Sequence, residues 1–174
     1  ETTSFFMPKL FIRVRNAPQI KSLVKRLGDA RKLVTGFILP KLSLDNIDGY
    51  LQTLTSINSA YPQTFYAMPI MESPVLTDLR KRADVLYQLK ERLDEAGELI
   101  LNIRVGGNDL CHLFGFRRNQ KESIHQILPV SNIFADIVTV FGMDYVISGP
   151  VFEYYDGAGW ESGLRNELIQ DKLC

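Results

Sequence analysis

Apolar residues gather in five short runs, at 10–15, 36–42, 64–71, 99–105 and 145–151, each rich in Ile, Val, Phe or Leu and mostly without polar alternation. Such runs predict strands covered on both faces. Between them the apolar spacing turns helical, and helices are predicted at 18–27, 43–56, 73–96, 132–141 and 160–173. The clearest is 73–96. Ser73 suits its N-cap, Pro74 its first position and Gly97 its C-terminal cap, while Leu79, Leu86, Leu89 and Leu93 fall roughly on one stripe. Strand and helix alternate throughout, which predicts the α/β class with a parallel sheet and outer helices.

An open doubly wound sheet and a (β/α)8 barrel both fit that alternation. A nucleotide-binding open sheet wants a Gly-rich turn after its first strand, whereas Asn16-Ala17-Pro18 follows here, and neither GxGxxG nor GxxxxGK[ST] occurs. The barrel fits better because polar residues collect at consecutive strand exits, where barrel enzymes build their active sites. These are Arg13-Val14-Arg15-Asn16, Pro40-Lys41, Met71-Glu72-Ser73 and Gly107-Asn108-Asp109.

Composition narrows the function classes. The chain has 174 residues, 45% of them hydrophobic, and 20 basic against 20 acidic residues. Zero formal net charge argues against a nucleic-acid binder, which needs a basic face. No apolar run reaches the ~20 residues of a membrane span, and no signal-like start is present. A cytoplasmic protein is expected. Cys111 and Cys174 form no disulfide framework or zinc-type spacing. The chain begins without Met and ends on Cys174 inside an amphipathic pattern, so it reads as a piece of a longer protein.

Glu72 and Asp109 carry the sharpest chemistry. They lie 37 residues apart, about one strand-plus-helix unit, so neighbouring parallel strands roughly 4.8 Å apart would let both carboxylates share a hard divalent cation such as Mg²⁺. Arg13 and Arg15 are expected on one side of their strand and, with Lys41, to form a positive wall for a carboxylate or phosphate. A keto acid chelating such a metal has its enolate stabilised when a carbon–carbon bond breaks. Structural roles compete at every position. Glu72 would also suit a helix start, Asp109 an N-cap, Arg13 and Arg15 solvated strand-end charges or partners of acids elsewhere, and Lys41 plain loop. Gly106-Gly107 suits a tight turn, and Gly107 would also let substrate approach closely. His112, in an apolar stretch, reads as structural, and His125 is given no role. The loop 117–121 reads as a solvated turn, with phosphate binding as the sharper alternative. Phe152, Tyr154, Tyr155 and Trp160 fit either a lid or packing.

The runs FIRVRN, GFILPKL, YAMPIMESP and RVGGNDL, followed by MDYVISGPVFEYYDGAGWESGL, resemble the successive strand-end signatures of the HpcH/HpaI aldolase and citrate lyase beta-subunit family of (β/α)8 carbon–carbon lyases. Within it the chain is similar to citrate-lyase-like proteins of stress-response gene clusters. The resemblance covers nearly the whole chain. It implies a partial (β/α)8 TIM barrel, about strands 2 to 6 with their helices, as one domain over 1–174 incomplete at both ends. It further implies that Glu72 and Asp109 are Mg²⁺ ligands, that Arg13 binds substrate and that Lys41 lies near its acyl or carboxylate group. Arg15 replaces the Asn of the family's R-[IV]-N signature, which points to a more anionic substrate.

The expectation is therefore a Mg²⁺-dependent retro-aldol or retro-Claisen lyase acting on a hydroxyacyl thioester or hydroxy acid. Arg13 and Lys41 are its catalytic candidates, and Arg13, Arg15, Lys41 and Gly107 its substrate-binding candidates. Coenzyme A enters only as part of the substrate, with its contacts largely outside this sequence. A class II pyruvate aldolase and a catalytically silent anion-binding module are the alternatives. The expected partners are a small anionic substrate and further copies of the chain, the latter because an incomplete barrel leaves two open sheet edges.

Overall fold

In the computed structural model the described residues are 7–118, 121–152, 161 and 164–165. The strands are β1 (Leu10–Arg13), β2 (Val34–Leu39), β3 (Tyr66–Met71), β4 (Ile103–Val105) and β5 (Ile147–Ser148). Interleaved with them are α1 (Ala17–Leu27), α2 (Ile47–Ala60), α3 (Arg82–Ala96), α4 (Gly107–Leu113) and α5 (Leu128–Phe141). All four strand pairings are parallel and the sheet order is β1-β2-β3-β4-β5. A doubly wound sheet reverses its strand order at a switch point. This one never does, and it forms a five-stranded part of a (β/α)8 barrel.

The two sheet faces differ in burial. Phe37, Leu39, Ala67, Met71, Ile103 and Val105 are all buried, and they share the face covered by helices. There α1 packs on α2, α2 on α3 and α3 on α5, so consecutive helices follow one another round one side. The opposite face carries Arg13, Ile38, Met68, Ile70, Arg104 and Ser148 in matched register. It corresponds to the barrel interior, and most of it is only half-buried.

Local chemistry sets the element ends, several of which differ from the sequence reading. Asn16 caps α1, its Oδ1 accepting from the Gln19 N–H at 3.1 Å, so β1 stops at Arg13 rather than 15. Pro40 has no N–H to donate and Lys41 turns the chain with φ 51°, which ends β2 before residue 42. The segment 43–46 is a turn held by Asn46, whose Oδ1 accepts from the Ser43 N–H at 3.0 Å, and α2 starts only at Ile47.

The expected helix 73–96 is two pieces. A 3₁₀ turn, Pro74–Thr77, is followed by a break at Asp78, whose Oδ1 accepts from the Arg80 N–H at 3.0 Å. Local side-chain capture of this kind competes with the helix ladder. Leu79 falls in the break and is 78% exposed, whereas Leu86, Leu89 and Leu93 on α3 are fully buried. Gly97 does end α3, with φ 47°. Residues before β4 make a single bridge to β3, Ala67 to Ile100, and regular pairing with β3 resumes only at Arg104. β5 is two residues long rather than seven, and α5 begins at Leu128 rather than 132. The predicted helix 160–173 lies almost wholly outside the described residues, as do Tyr154, Tyr155, Trp160 and Cys174.

Candidate active site at the strand exits

β1, β2 and β3 deliver Arg13, Lys41 and Glu72 to one rim, and the first turn of α4 adds Asp109 beyond β4. Glu72 is the hub, with its side chain 2% exposed. Its Oε1 accepts from Arg13 Nη2 at 3.1 Å and from the Lys41 backbone N–H at 3.1 Å. The second bond depends on the left-handed backbone of Lys41, a conformation uncommon for residues with a Cβ. Asn46 holds that turn, its Nδ2 donating to the Lys41 carbonyl at 3.0 Å. Lys41 Nζ reaches Asp109 Oδ1 at 3.5 Å, with both side chains partly in solvent.

Burial raises the Glu72 carboxyl above its ordinary value, and hydrogen bonding to Asp109 together with the negative charge of Asp109 raises it further. The Arg13 charge and the Lys41 N–H oppose that rise without cancelling it. Two acids so placed compete for one positive charge, the situation that a shared cation relieves.

A cavity of about 130 Å³ opens here, lined by Arg13, Glu72, Arg104, Asn108 and Asp109 among others. The Oδ1 of Asn108 is buried with no hydrogen-bond partner among the described residues, leaving one more oxygen acceptor in the lining. Among the described residues no group of three or more His, Cys, Asp or Glu is placed to hold a metal. Two carboxylates plus an amide oxygen are all-oxygen donors, suited to a hard cation that keeps water and substrate oxygens in its shell, and unlike the ligand sets that zinc takes.

The structure brings together Arg13, Lys41, Glu72 and Asp109, and it leaves Arg15 out. Arg15 lies beyond the end of β1, so the alternation that would align it with Arg13 has lapsed; it is exposed, does not line the cavity, and its backbone N–H donates to Gln19 Oε1 at 2.6 Å. Gly107 lines the cavity through its backbone, but the space beside its Cα is taken by Ile124 and Pro150 and a side chain would collide with them. Its smallness serves packing. Gly106 is equally constrained: its φ is −101°, so left-handed freedom is not needed, and a Cβ there would run into Glu72. His112 sits exposed on α4, and His125 lies edge-on to Phe134, 5.5 Å between centroids, beside a different cavity. In the loop 117–121, Arg117 and Lys121 are exposed as expected of a solvated turn, whereas Arg118 is buried against the Phe152 ring at 5.4 Å.

Arg104 went unnoticed in the sequence reading. Its signal was a single cation inside an apolar run, flanked by Ile103 and Val105, whose side chains face the helices.

The chain belongs to the C-C bond lyase family of the TIM-barrel fold, whose family model matches residues 2–174. Comparison with curated proteins finds no matching relative. The family fixes the class of chemistry as carbon–carbon bond cleavage, and the five parallel strands in sequential order seen here are part of the barrel it names. No helix among the described residues is long and apolar enough to cross a membrane.

Proposed function

We propose that the rim cavity binds a small hydroxy acid, or the acyl end of a hydroxyacyl thioester, and cleaves its carbon–carbon bond with Mg²⁺ held by Glu72 and Asp109. The carrying observation is that these two carboxylates line one cavity, each with a cation within 4 Å. When bound, the divalent ion supplies Lewis-acid stabilisation of the charge that develops on a substrate oxygen. Arg13, with its side chain 55% exposed, offers a planar fork to a substrate carboxylate while its Nη2 stays on Glu72. Lys41 Nζ balances Asp109 and adds positive potential at the mouth. Among the described residues no histidine lines the cavity, so we assign the proton acceptor to water entering from the mouth. A volume of about 130 Å³ suits a small acid, and a coenzyme A tail would extend outside it.

Calorimetric titration with Mg²⁺ tests this reading, with Glu72→Gln and Asp109→Asn as comparisons. Each substitution is expected to weaken Mg²⁺ by about tenfold or more. Undiminished affinity in both would remove the site. Divalent-dependent turnover of a hydroxyacyl thioester against a pyruvate–aldehyde adduct would separate the thioester lyase from a class II aldolase. The mutual neutralisation of the two acid–base pairs also suits an anion-binding module without turnover, and any metal-dependent cleavage excludes that reading.

A further inference from the structure

Arg104 stands apart from the other cations of the site. Arg13 is bonded to Glu72 and Lys41 is paired with Asp109, so both have an acid within 4 Å. Arg104 lines the same cavity with no hydrogen-bond or ion-pair partner among the described residues. It is half-buried, in the middle of β4, and in register with Ile70 on β3 and Ser148 on β5. Its neighbours Ile103 and Val105 are buried on the helix side, so strand alternation sends Arg104 to the interior face.

Toward β5 the interior around Arg104 carries polar groups where a barrel normally packs branched apolar residues. Asn102, just before β4, donates through Nδ2 to Ser148 Oγ at 3.1 Å, and its Oδ1 is buried with no partner among the described residues. A guanidinium held beside such groups, with no ion-pair partner of its own among the described residues, is poised for an anion supplied from outside.

We infer that Arg104 is a specificity-determining residue that receives a second anionic group of the substrate, a carboxylate or a phosphate, so that the site prefers dianionic acids to monoanionic ones. The inference rests on the proposed lyase site, in which Arg13 takes the group nearer the metal. It also relocates the extra positive charge that the sequence assigned to Arg15. The guanidinium fork fits either oxyanion, and the two sources are separable by choice of probe.

The test is calorimetry on the full chain with Mg²⁺ present. L-malate is compared with lactate, which lacks the second carboxylate, and phosphoglycolate with glycolate, which lacks the phosphate. Wild type is expected to bind at least one dianion about 10- to 100-fold more tightly than its monoanionic partner, the range of one charge-assisted contact. A malate preference identifies the group as carboxylate, and a phosphoglycolate preference identifies it as phosphate. Arg104→Met should abolish the preference while Mg²⁺ affinity is kept. Arg104→Lys, which retains the charge and loses the fork, should keep part of it and covers the case in which the methionine variant does not fold. Equal binding of all four acids by wild type overturns the inference, as does a preference that survives in both variants. Mg²⁺ affinity indifferent to Glu72→Gln and Asp109→Asn would overturn the lyase reading instead, leaving the anion preference readable.

Discussion

Replacing Gly106 by alanine probes how tightly the site is built. The backbone there has φ −101°, which alanine adopts without strain, so any cost comes from contact. The added Cβ would fall inside contact distance of both Oε2 and Cβ of Glu72. The carboxylate oxygen can rotate away; the Glu72 Cβ is fixed to the backbone at the exit of β3. That backbone is tied to the same glycine, since the Gly106 N–H donates to the Met71 carbonyl at 3.2 Å. Overpacking of this kind costs about 1–3 kcal/mol, and the stiffer unfolded chain returns about 0.4–1 kcal/mol. A net loss of about 1–2 kcal/mol is expected by urea denaturation. The displaced Glu72 should also weaken Mg²⁺ by about 10- to 100-fold, as when the support of a metal ligand is disturbed. Gly49→Ala on α2 is the control: its Cβ meets only Ala17 Cβ at 3.9 Å, and it should stabilise by about 0.5–1 kcal/mol. Gly106→Ala with wild-type stability and wild-type Mg²⁺ affinity would refute the reasoning.

Further outcomes can be measured on the same material. Because the Glu72 carboxyl is raised in the folded protein, the folded state holds its proton more firmly than the unfolded chain. Stability without divalent cation should then fall as pH rises from the ordinary 4.5 through the elevated value, and Glu72→Gln should lose that slope; parallel pH profiles would count against it. Lys41→Gly should be more stable than Lys41→Ala by about 1 kcal/mol, since only glycine accepts the left-handed backbone freely and neither variant keeps the amine. Equal midpoints would show that the turn relaxes. Arg82, 5% exposed, donates from Nε to the Leu76 carbonyl at 2.7 Å and from Nη1 to Asp136 at 2.8 Å. Arg82→Met should cost about 2–3 kcal/mol, and Asp136→Asn, at a half-exposed side chain, only about 1 kcal/mol or less; a reversed order in denaturation would contradict this.

The strands and the two acids were legible because both depend on short-range pattern. An apolar run ending in Glu72 or in Gly-Gly-Asn-Asp states its own direction, and parallel order then brings the ends together. What escaped notice depended on where the pattern stops. Arg15 was aligned with Arg13 by extending an alternation that the Asn16 cap cuts short. Leu79 matched a helical stripe that Asp78 interrupts through its own side chain. Gly106 and Gly107 read as a source of backbone freedom, yet both are held to hydrogen by side chains distant in sequence, Glu72 for one and Ile124 with Pro150 for the other. Arg104 lies inside an apolar run, where its neighbours mark a strand and nothing local marks a site. Only the register of β4 against β3 assigns it a face.

The Arg13–Glu72 contact joins the first strand to the third, with β2 lying between them. Adjacent parallel strands stand about 4.8 Å apart, so a flat arrangement would hold these two backbones nearly 10 Å from each other. The two side chains reach across that gap and meet at 3.1 Å, like a tie rod across an arch. Bending the sheet outward would lengthen the tie and release the guanidinium, so the shape of the scaffold and the grip on an incoming acid are mechanically linked.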